Sequence, residues 1–534
     1  MSVFLSFHGA AHAVTGSCFR LETSHGQVLF DCGLFQGSKT EKELNYQPFS
    51  FSPEKINAVV LSHAHIDHSG LLPKLVKEGF QGPIYATPAT ADLAAVMLPD
   101  CAYIQEIEVK QLNKRNARRA RARVEPIYSA EDVLACLEQF RPAPYAGWFN
   151  VTADVKVRLW NAGHLLGSAS IEVEVHNSDT EHPLRIVFSG DIGPNFKLLH
   201  PNPEAPRDLD YIVCEGTYGD RDRATTTPNG RRMALRDEVL TAQDPNGVLL
   251  IPSFAIERAQ ELIADLVQLM EEGALPAIPI YVDSPLATKA SHVFARHAKE
   301  LESGEDFARR LKSRNVHFTE TVEQSKALDR LRGFHIVIAA SGMCEAGRIR
   351  YRLKNWIWRD EATILVVGFQ AQGTLGRILQ DGAASVRIQG EEFKVRARVR
   401  SLDLYSGHAD GPELKEWIRM RLPLHQTIFL VHGEKEALTD LQTRLQGLIE
   451  QKKIILPEID ESFELTAQGA RPMSLHVPSR ADKTTIAQLD WHNEASRLVL
   501  DINDALAGAP DNKARVLLIK RLREALNEAV GQNS

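Results

Sequence analysis

The chain has 534 residues and only six cysteines, Cys18, Cys32, Cys101, Cys136, Cys214 and Cys344, none of them in a Cys-x-x-Cys pair. That argues against zinc ribbons and a disulfide framework, and for a reducing compartment. Long apolar runs are missing too, and Met1-Ser2-Val3-Phe4-Leu5 has neither the basic start nor the apolar core of a signal peptide. A cytoplasmic protein with no membrane partner is the expectation. Nor is there an excess of positive charge, with 62 Lys and Arg against 69 Asp and Glu and a net charge of −7. A general polyanion binder is thereby excluded, and a nucleic acid would have to be met by a local basic groove or by bound cations. What remains, 25% charged and 43% hydrophobic, is ordinary for globular protein and long enough for two or three domains with full cores.

The distinctive stretch is Leu61-Ser62-His63-Ala64-His65-Ile66-Asp67-His68-Ser69-Gly70. It follows the apolar run Ala58-Val59-Val60-Leu61, so a buried strand ends and delivers three histidines and an aspartate into one turn. Imidazole nitrogen and carboxylate oxygen suit zinc and its neighbours. Other apolar strands end in the same manner. Gln27 to Phe30 runs into Asp31-Cys32-Gly33, Val155 to Leu159 leads to Gly163-His164, and Leu184 to Phe188 is followed by Ser189-Gly190-Asp191. Taken alone, Asp31 is equally a turn former before Cys32-Gly33.

From about residue 220 the texture changes to strands alternating with helices, which implies a parallel sheet with helices on its faces. The strands are Val248 to Pro252, Ile278 to Asp283, His335 to Ala340 and Thr363 to Gly368, with helices between them starting near Glu257, Ala287 and Gly347. Earlier, a helical pattern runs from Ala89 to about Arg123 and ends in seven cations from Lys110 to Arg123, either a phosphate-contacting surface or a solvated face. Later, Leu402 to Ser406 leads to Gly407-His408-Ala409-Asp410, and Thr427 to Val431 leads to His432.

His63-x-His65-x-Asp67-His68 resembles the signature of the metallo-β-lactamase superfamily, and with Asp31, His164 and Asp191 the motifs stand in that superfamily's order. Glu215, His408 and His432 are similar to motifs A, B and C of its β-CASP branch of nucleases. Tyr281-Val-Asp-Ser-Pro285, Ala340-Ser-Gly-Met-Cys344 and Gly368-Phe-Gln-Ala-Gln-Gly-Thr-Leu-Gly-Arg377 look like its RNA-specific bacterial and archaeal members. The likeness spans about residues 1 to 465. It implies an α/β fold: an αββα metallo-β-lactamase sandwich (1–219 and 401–465) carrying an inserted parallel-sheet β-CASP domain (220–400). His63, His65 and His164 would hold one ion and Asp67, His68 and His432 a second, with Asp191 between them. The ions would be two zinc, or manganese in their place, and Asp31 would orient a ligand histidine.

The resemblance further implies hydrolysis of phosphodiesters in single-stranded RNA, endonucleolytically, leaving a 5′-phosphate and a 3′-hydroxyl. His408 would serve as general acid, held by Glu215. The alternatives are a 5′-to-3′ exonuclease, a DNA nuclease, an ester or thioester hydrolase on the same core, and a scaffold without metal. Ser341-Gly342 ahead of a helix is a candidate phosphate cradle. Arg258, Arg348 and Arg377 are candidate phosphate contacts or plain ion pairs. Residues 466–534 read as a linker and a helical hairpin, Ala495 to Leu506 and Leu518 to Ala529, with Asp511 as N-cap of the second helix. The hairpin would pack on the core or on a twin subunit, with substrate docking as the lesser alternative, and a homodimer is what the family resemblance implies.

Overall fold

Two of the sheets face each other because their strands carry apolar residues toward a shared core. Val155–Asn161, for instance, buries every other residue at its start. The computed structural model describes residues 2–37, 39–118, 122–176, 182–223, 227–368, 370, 373–473, 502, 505–506 and 510–531. The first sheet has eight strands, in the order Gly469–Pro472, Glu461–Thr466, Val3–Phe7, Phe19–Thr23, Gly26–Phe30, Ile56–Val60, Ile84–Ala86 and Phe140–Pro142. The second has seven: Ile454–Ile455, Leu424–Val431, Leu209–Glu215, Leu184–Phe188, Ala169–Val175, Val155–Asn161 and Phe149–Asn150. Leu5, Phe7, Leu21 and Phe30 from one sheet interdigitate with Ile171, Phe188, Val213 and Phe429 from the other, and the Phe30 and Phe188 rings stack at 4.0 Å. Helices Gly411–Arg419 and Lys435–Arg444 cover the outer face of the second sheet through Leu414, Trp417, Leu438 and Leu441.

The third sheet is parallel throughout, in the order Val316–Phe318, Ile280–Asp283, His335–Ala339, Val248–Pro252, Ala362–Val366 and Arg398–Ser401. Its central strands are buried at every residue, the pattern of a sheet covered on both faces. It lies between two strands of the sandwich in sequence, as expected of an insert.

Several details differ from expectation. The long helix is Pro88–Arg118, and Lys110, Lys114, Arg115 and Arg118 of the basic run are solvent-exposed on it, while Arg119 and Arg121 lie outside the described residues. The edge strands Val316–Phe318 and Arg398–Ser401 are short, and Arg398–Ser401 carries too little apolar pattern to be read from sequence. Gly469–Pro472 pairs with Glu461–Thr466, which extends the first sheet into residues expected to be linker.

A second unit comprises 37–44 and 481–534. Within it the helix Asn512–Gly531 is present, and Asp511 Oδ1 accepts from Ala514 N at 2.7 Å as its N-cap. Most of the first half of the expected hairpin, 495–506, lies outside the described residues. Among the described residues no helix is long and apolar enough to cross a membrane.

Candidate metal centre and catalytic cleft

Strand direction gathers the site. Gly26–Phe30 and Ile56–Val60 are parallel neighbours, so Asp31 and the 61–70 turn leave the first sheet at one edge. Leu184–Phe188, Leu209–Glu215 and Leu424–Val431 are likewise parallel and bring Asp191, Glu215 and His432 to one edge of the second. Val155–Asn161 is separated from Leu184–Phe188 by one antiparallel strand, so it points the same way and adds His164. Asp31 and His432 both sit at positive φ, 61° and 50°, a conformation that turns a strand end sharply inward.

His63, His65, His164 and Asp191 form one group whose donor atoms lie within 4.8 Å of one another, and Asp67, His68 and His432 form another. The far nitrogen of most rings is already committed. His68 Nδ1–H donates to Asp31 Oδ2 at 2.7 Å, and His164 Nδ1–H donates to the Gly407 carbonyl at 2.7 Å. His63 Nδ1 meets Ser62 Oγ at 3.0 Å, and His432 Nδ1 meets Thr217 Oγ1 at 3.1 Å. Asp31 is itself fixed by Ser62, whose N–H and O–H donate at 2.7 and 2.8 Å.

The near nitrogens then confront one another. His63 Nε2 and His65 Nδ1 are 3.2 Å apart, His164 Nε2 and His65 Nδ1 3.1 Å, and His68 Nε2 and His432 Nε2 3.1 Å. Two bare lone pairs at that distance need a cation between them. Asp191 makes the same demand. Both its oxygens are buried and neither accepts a hydrogen bond, although His68 Nε2 is 3.2 Å from one and His63 Nε2 3.4 Å from the other. A buried carboxylate without a donor is costly unless a positive charge faces it. The residues present therefore suit a metal ion, and their nitrogen and oxygen set suits zinc.

Electrostatics separate the two groups. Burial, helped by His63, pushes the His65 imidazole down to about 3, and burial and His408 press His164 well below its usual range. Burial would raise Asp191, but the surrounding His432, His68 and His63 hold its carboxyl well down. His65 and His164 thus offer lone pairs beside an ionised carboxylate. Burial would lower His68 and His432 as well, but Asp191 and Asp31 raise the first well above its usual range and Asp191 and Asp67 raise the second. A positive charge is favoured there, which a metal ion would supply in place of the proton. His63, His68, His164, Asp191 and His432 are all nearly inaccessible, while the side chains of Asp67 and His408 keep 21% and 20% exposure, so solvent reaches the centre past these two.

On that open side His408 Nδ1 lies 3.2 and 3.3 Å from the two oxygens of Glu215, and its Nε2 is 3.8 Å from Asp191 Oδ2. Glu215 is held from behind, with Oε1 accepting from Ile192 N–H and Oε2 from Thr217 Oγ1–H at 2.6 Å. Asp410, two residues on, caps helix Gly411–Arg419 in a capping box with Glu413, which anchors the His408 loop.

The expected phosphate cradle is not built as the sequence suggests. Ser341 to Cys344 form a turn, and the helix begins only at Ile349, so Ser341 and Gly342 do not stand at its N-terminus. Arg348 pairs with Asp283 at 3.0 Å, Arg377 with Asp381 at 2.8 Å, and Arg258 donates to the Tyr405 carbonyl at 2.9 Å. Arg377 nonetheless lines a polar cavity of about 260 Å³ with Arg221, Gln380, Ser401 and Asp403. Sequence reasoning missed Ser62 and Thr217. Ser62 directly precedes His63 and Thr217 stands two residues after Glu215, so a hydroxyl one or two positions from a motif residue was the available signal.

Comparison with known proteins places this geometry. The family described as Metallo-beta-lactamase superfamily matches residues 13–253, the Beta-Casp domain 259–379, and the Zn-dependent metallo-hydrolase RNA specificity domain 392–457. Ribonuclease TTHA0252 of Thermus thermophilus is 37% identical over 439 residues, 81% of this chain and 94% of its own length. The chain belongs to the β-CASP branch of the metallo-β-lactamase superfamily. It is accordingly a metal-dependent hydrolase whose last module is the family's RNA specificity domain. Transcription termination factor FttA of Methanosarcina mazei is 29% identical over 452 residues, 81% of this chain and 67% of its own. An RNase J-like protein of Methanocaldococcus jannaschii is 29% identical over 437 residues, 81% and 93%. A crystal structure of a protein of unknown function from Enterococcus faecalis shares the fold, with a TM-score of 0.50 at 14% identity over 87% of this chain and 100% of that one.

Proposed function

We propose that this chain is a cytoplasmic two-zinc ribonuclease that cuts single-stranded RNA internally and leaves a 5′-phosphate and a 3′-hydroxyl. The observation that carries the reading is Asp191, a buried carboxylate without a hydrogen bond, standing between two sets of converging imidazoles and beside the Glu215–His408 pair. RNA is supported by the specificity domain that spans His408 and His432, and by the ribonuclease named above.

His63, His65 and His164 would hold one ion, Asp67, His68 and His432 the other, with Asp191 shared and Asp31 orienting His68. Two such ions would ionise a water near neutral pH and neutralise the phosphoryl oxygens. The chain's own part is to place the scissile phosphate and to manage the leaving oxygen. When the P–O3′ bond breaks, the 3′-oxygen keeps the electron pair and takes a proton from His408 Nε2. Glu215 fixes Nδ1 as the donor to itself, so the ring presents Nε2 to the cleft. Good alkoxide or thiolate leaving groups have less need of such an acid, which counts against an ester or thioester substrate. Residues 1–219 and 401–465 form the metal-bearing domain and 220–400 the insert; a homodimer accords with the family.

The test is a time course of zinc-loaded protein on a long, internally labelled single-stranded RNA beside DNA of the same sequence, with His408→Ala as control. Internal RNA fragments, absent with DNA and in the variant, are expected. Mononucleotides appearing first would replace the endonuclease by an exonuclease. Neither polymer cut, with metal bound, would overturn the nuclease reading in favour of esters or thioesters.

A further inference from the structure

Helix Arg258–Glu271 of the insert reaches the metal centre by two routes, one ending on the backbone of His164 and the other on its ring. At the helix start, Glu257 is buried and held at φ 70°. Its Oε1 accepts from Lys197 Nζ at 3.0 Å and its Oε2 from His200 Nε2 at 2.7 Å. Lys197 and His200 belong to the sandwich, on the loop after Asp191, and are 5% and 3% exposed. The same Lys197 ammonium donates to the backbone carbonyl of His164. Burial would raise the Glu257 carboxyl, but His200 and Lys197 hold it down to about 2, so the carboxylate is ionised.

The second route starts one residue on. Arg258 Nε–H donates to the Tyr405 carbonyl at 2.9 Å, and the Tyr405 hydroxyl donates to Asp265 Oδ2 at 2.8 Å, two turns along the same helix. Tyr405 leads directly into Gly407, whose carbonyl receives His164 Nδ1–H, and into His408. There is no room to relax at that point, since a methyl on Gly407 would lie 3.0 Å from the His164 ring. The two routes close into a ring: Glu257, Lys197, His164, Gly407, Tyr405, Arg258.

We propose that Lys197 and Glu257 are positioning residues, a buried cross-domain pair through which helix Arg258–Glu271 sets the placement of His164 and, through Tyr405, of His408. This rests on the reading of His164 as a metal ligand given above. A lysine inside a core is expensive unless fully paired, and here one ammonium joins a carboxylate of the insert to the main chain of a ligand residue. Structural support for a ligand of this kind is worth about ten- to a hundredfold in metal affinity.

The experiment uses the full chain loaded with cobalt(II) and follows its visible absorption, its cobalt affinity and its urea unfolding, with RNA cleavage measured alongside. Lys197→Met is expected to weaken cobalt binding about ten- to a hundredfold, shift the cobalt spectrum, and lower kcat with KM unmoved. Lys197→Arg should recover part of each. Tyr405→Phe should lower kcat while the cobalt spectrum stays. Asp92→Asn, which loosens a separate join between sandwich and insert, should change stability and leave the spectrum alone. If Lys197→Met unfolds more easily yet binds cobalt with unaltered affinity and spectrum, the pair is merely structural and the proposal falls. The same holds if Asp92→Asn shifts the spectrum equally. If the unaltered protein binds no cobalt at all, it is the metal-centre reading that fails first.

Discussion

Asp191 and Asp283 begin from the same design and end in opposite states. Asp283 closes the strand Ile280–Asp283, Asp191 comes three residues after Leu184–Phe188, and each is 1% exposed or less. Asp283 accepts from Thr319 Oγ1 at 2.6 Å and from Ser325, Arg348 and Arg352 at 3.0 Å each. Asp191 accepts from nothing and is ringed by imidazoles. The fold therefore uses a strand-end aspartate in two ways. Where guanidinium and hydroxyl donors close around it, it locks the insert together; where imidazoles converge on it, it suits a metal ion. A buried carboxylate announces neither role, and its hydrogen-bond partners decide.

The sharpest way to break that comparison is to neutralise each in turn. Asp191→Asn should cost RNA cleavage at least about a hundredfold, with a smaller change in metal-free stability in urea, because Asp191 accepts no hydrogen bond that the substitution would break. Asp283→Ala should do the reverse to the fold, destabilising by about 3–5 kcal/mol because Arg348 and Arg352 are left without their acid. Equal loss of stability from both would erase the distinction.

Next in size, His408→Ala should lower kcat about 10²–10⁴-fold while zinc content stays at the unaltered level. Zinc itself should raise the melting temperature of the metal-free protein, by about 2.7 kcal/mol of stabilisation at a hundredfold over its dissociation constant. Asp191→Asn should shrink that shift and Asp283→Asn should not.

The smallest effect concerns an ion pair outside both sites. His297 joins Asp92 at 2.9 Å and Glu300 at 2.7 Å, linking helix Pro88–Arg118 to the insert. Burial would lower its pKa, but Asp92 and Glu300 outweigh it and raise it above 6.5. The stabilisation is therefore complete below pH 6.5, where the unfolded chain is protonated too, and is lost as pH rises through the higher folded value. Urea midpoints from pH 5.5 to 8.5 should show that slope, and His297→Gln should flatten it.

Much of the centre was legible because a strand followed by a polar turn is written in consecutive residues, as in Val60 to His68 or Phe188 to Asp191. The alternation of strand and helix after residue 220 was legible for the same reason. What escaped depends on contacts between distant segments. Nothing local marks Lys197 as the partner of Glu257, or tells Asp283 from Asp191. Ser341-Gly342 read as a helix start because Gly347 lies close behind, but the chain spends Ser341 to Cys344 in a turn before the helix begins at Ile349. The three-residue strand Val316–Phe318 is held by its neighbour Ile280–Asp283 and has too little pattern of its own to be seen.

The most direct test of the central claim is a calorimetric titration of zinc into the metal-free full chain, with RNA cleavage followed in the same samples. Two equivalents per chain, with cleavage appearing as the second fills and only one equivalent retained by Asp191→Asn, is the expected result. Full cleavage at one equivalent, or two equivalents bound with Asp191 neutralised and cleavage intact, would contradict it.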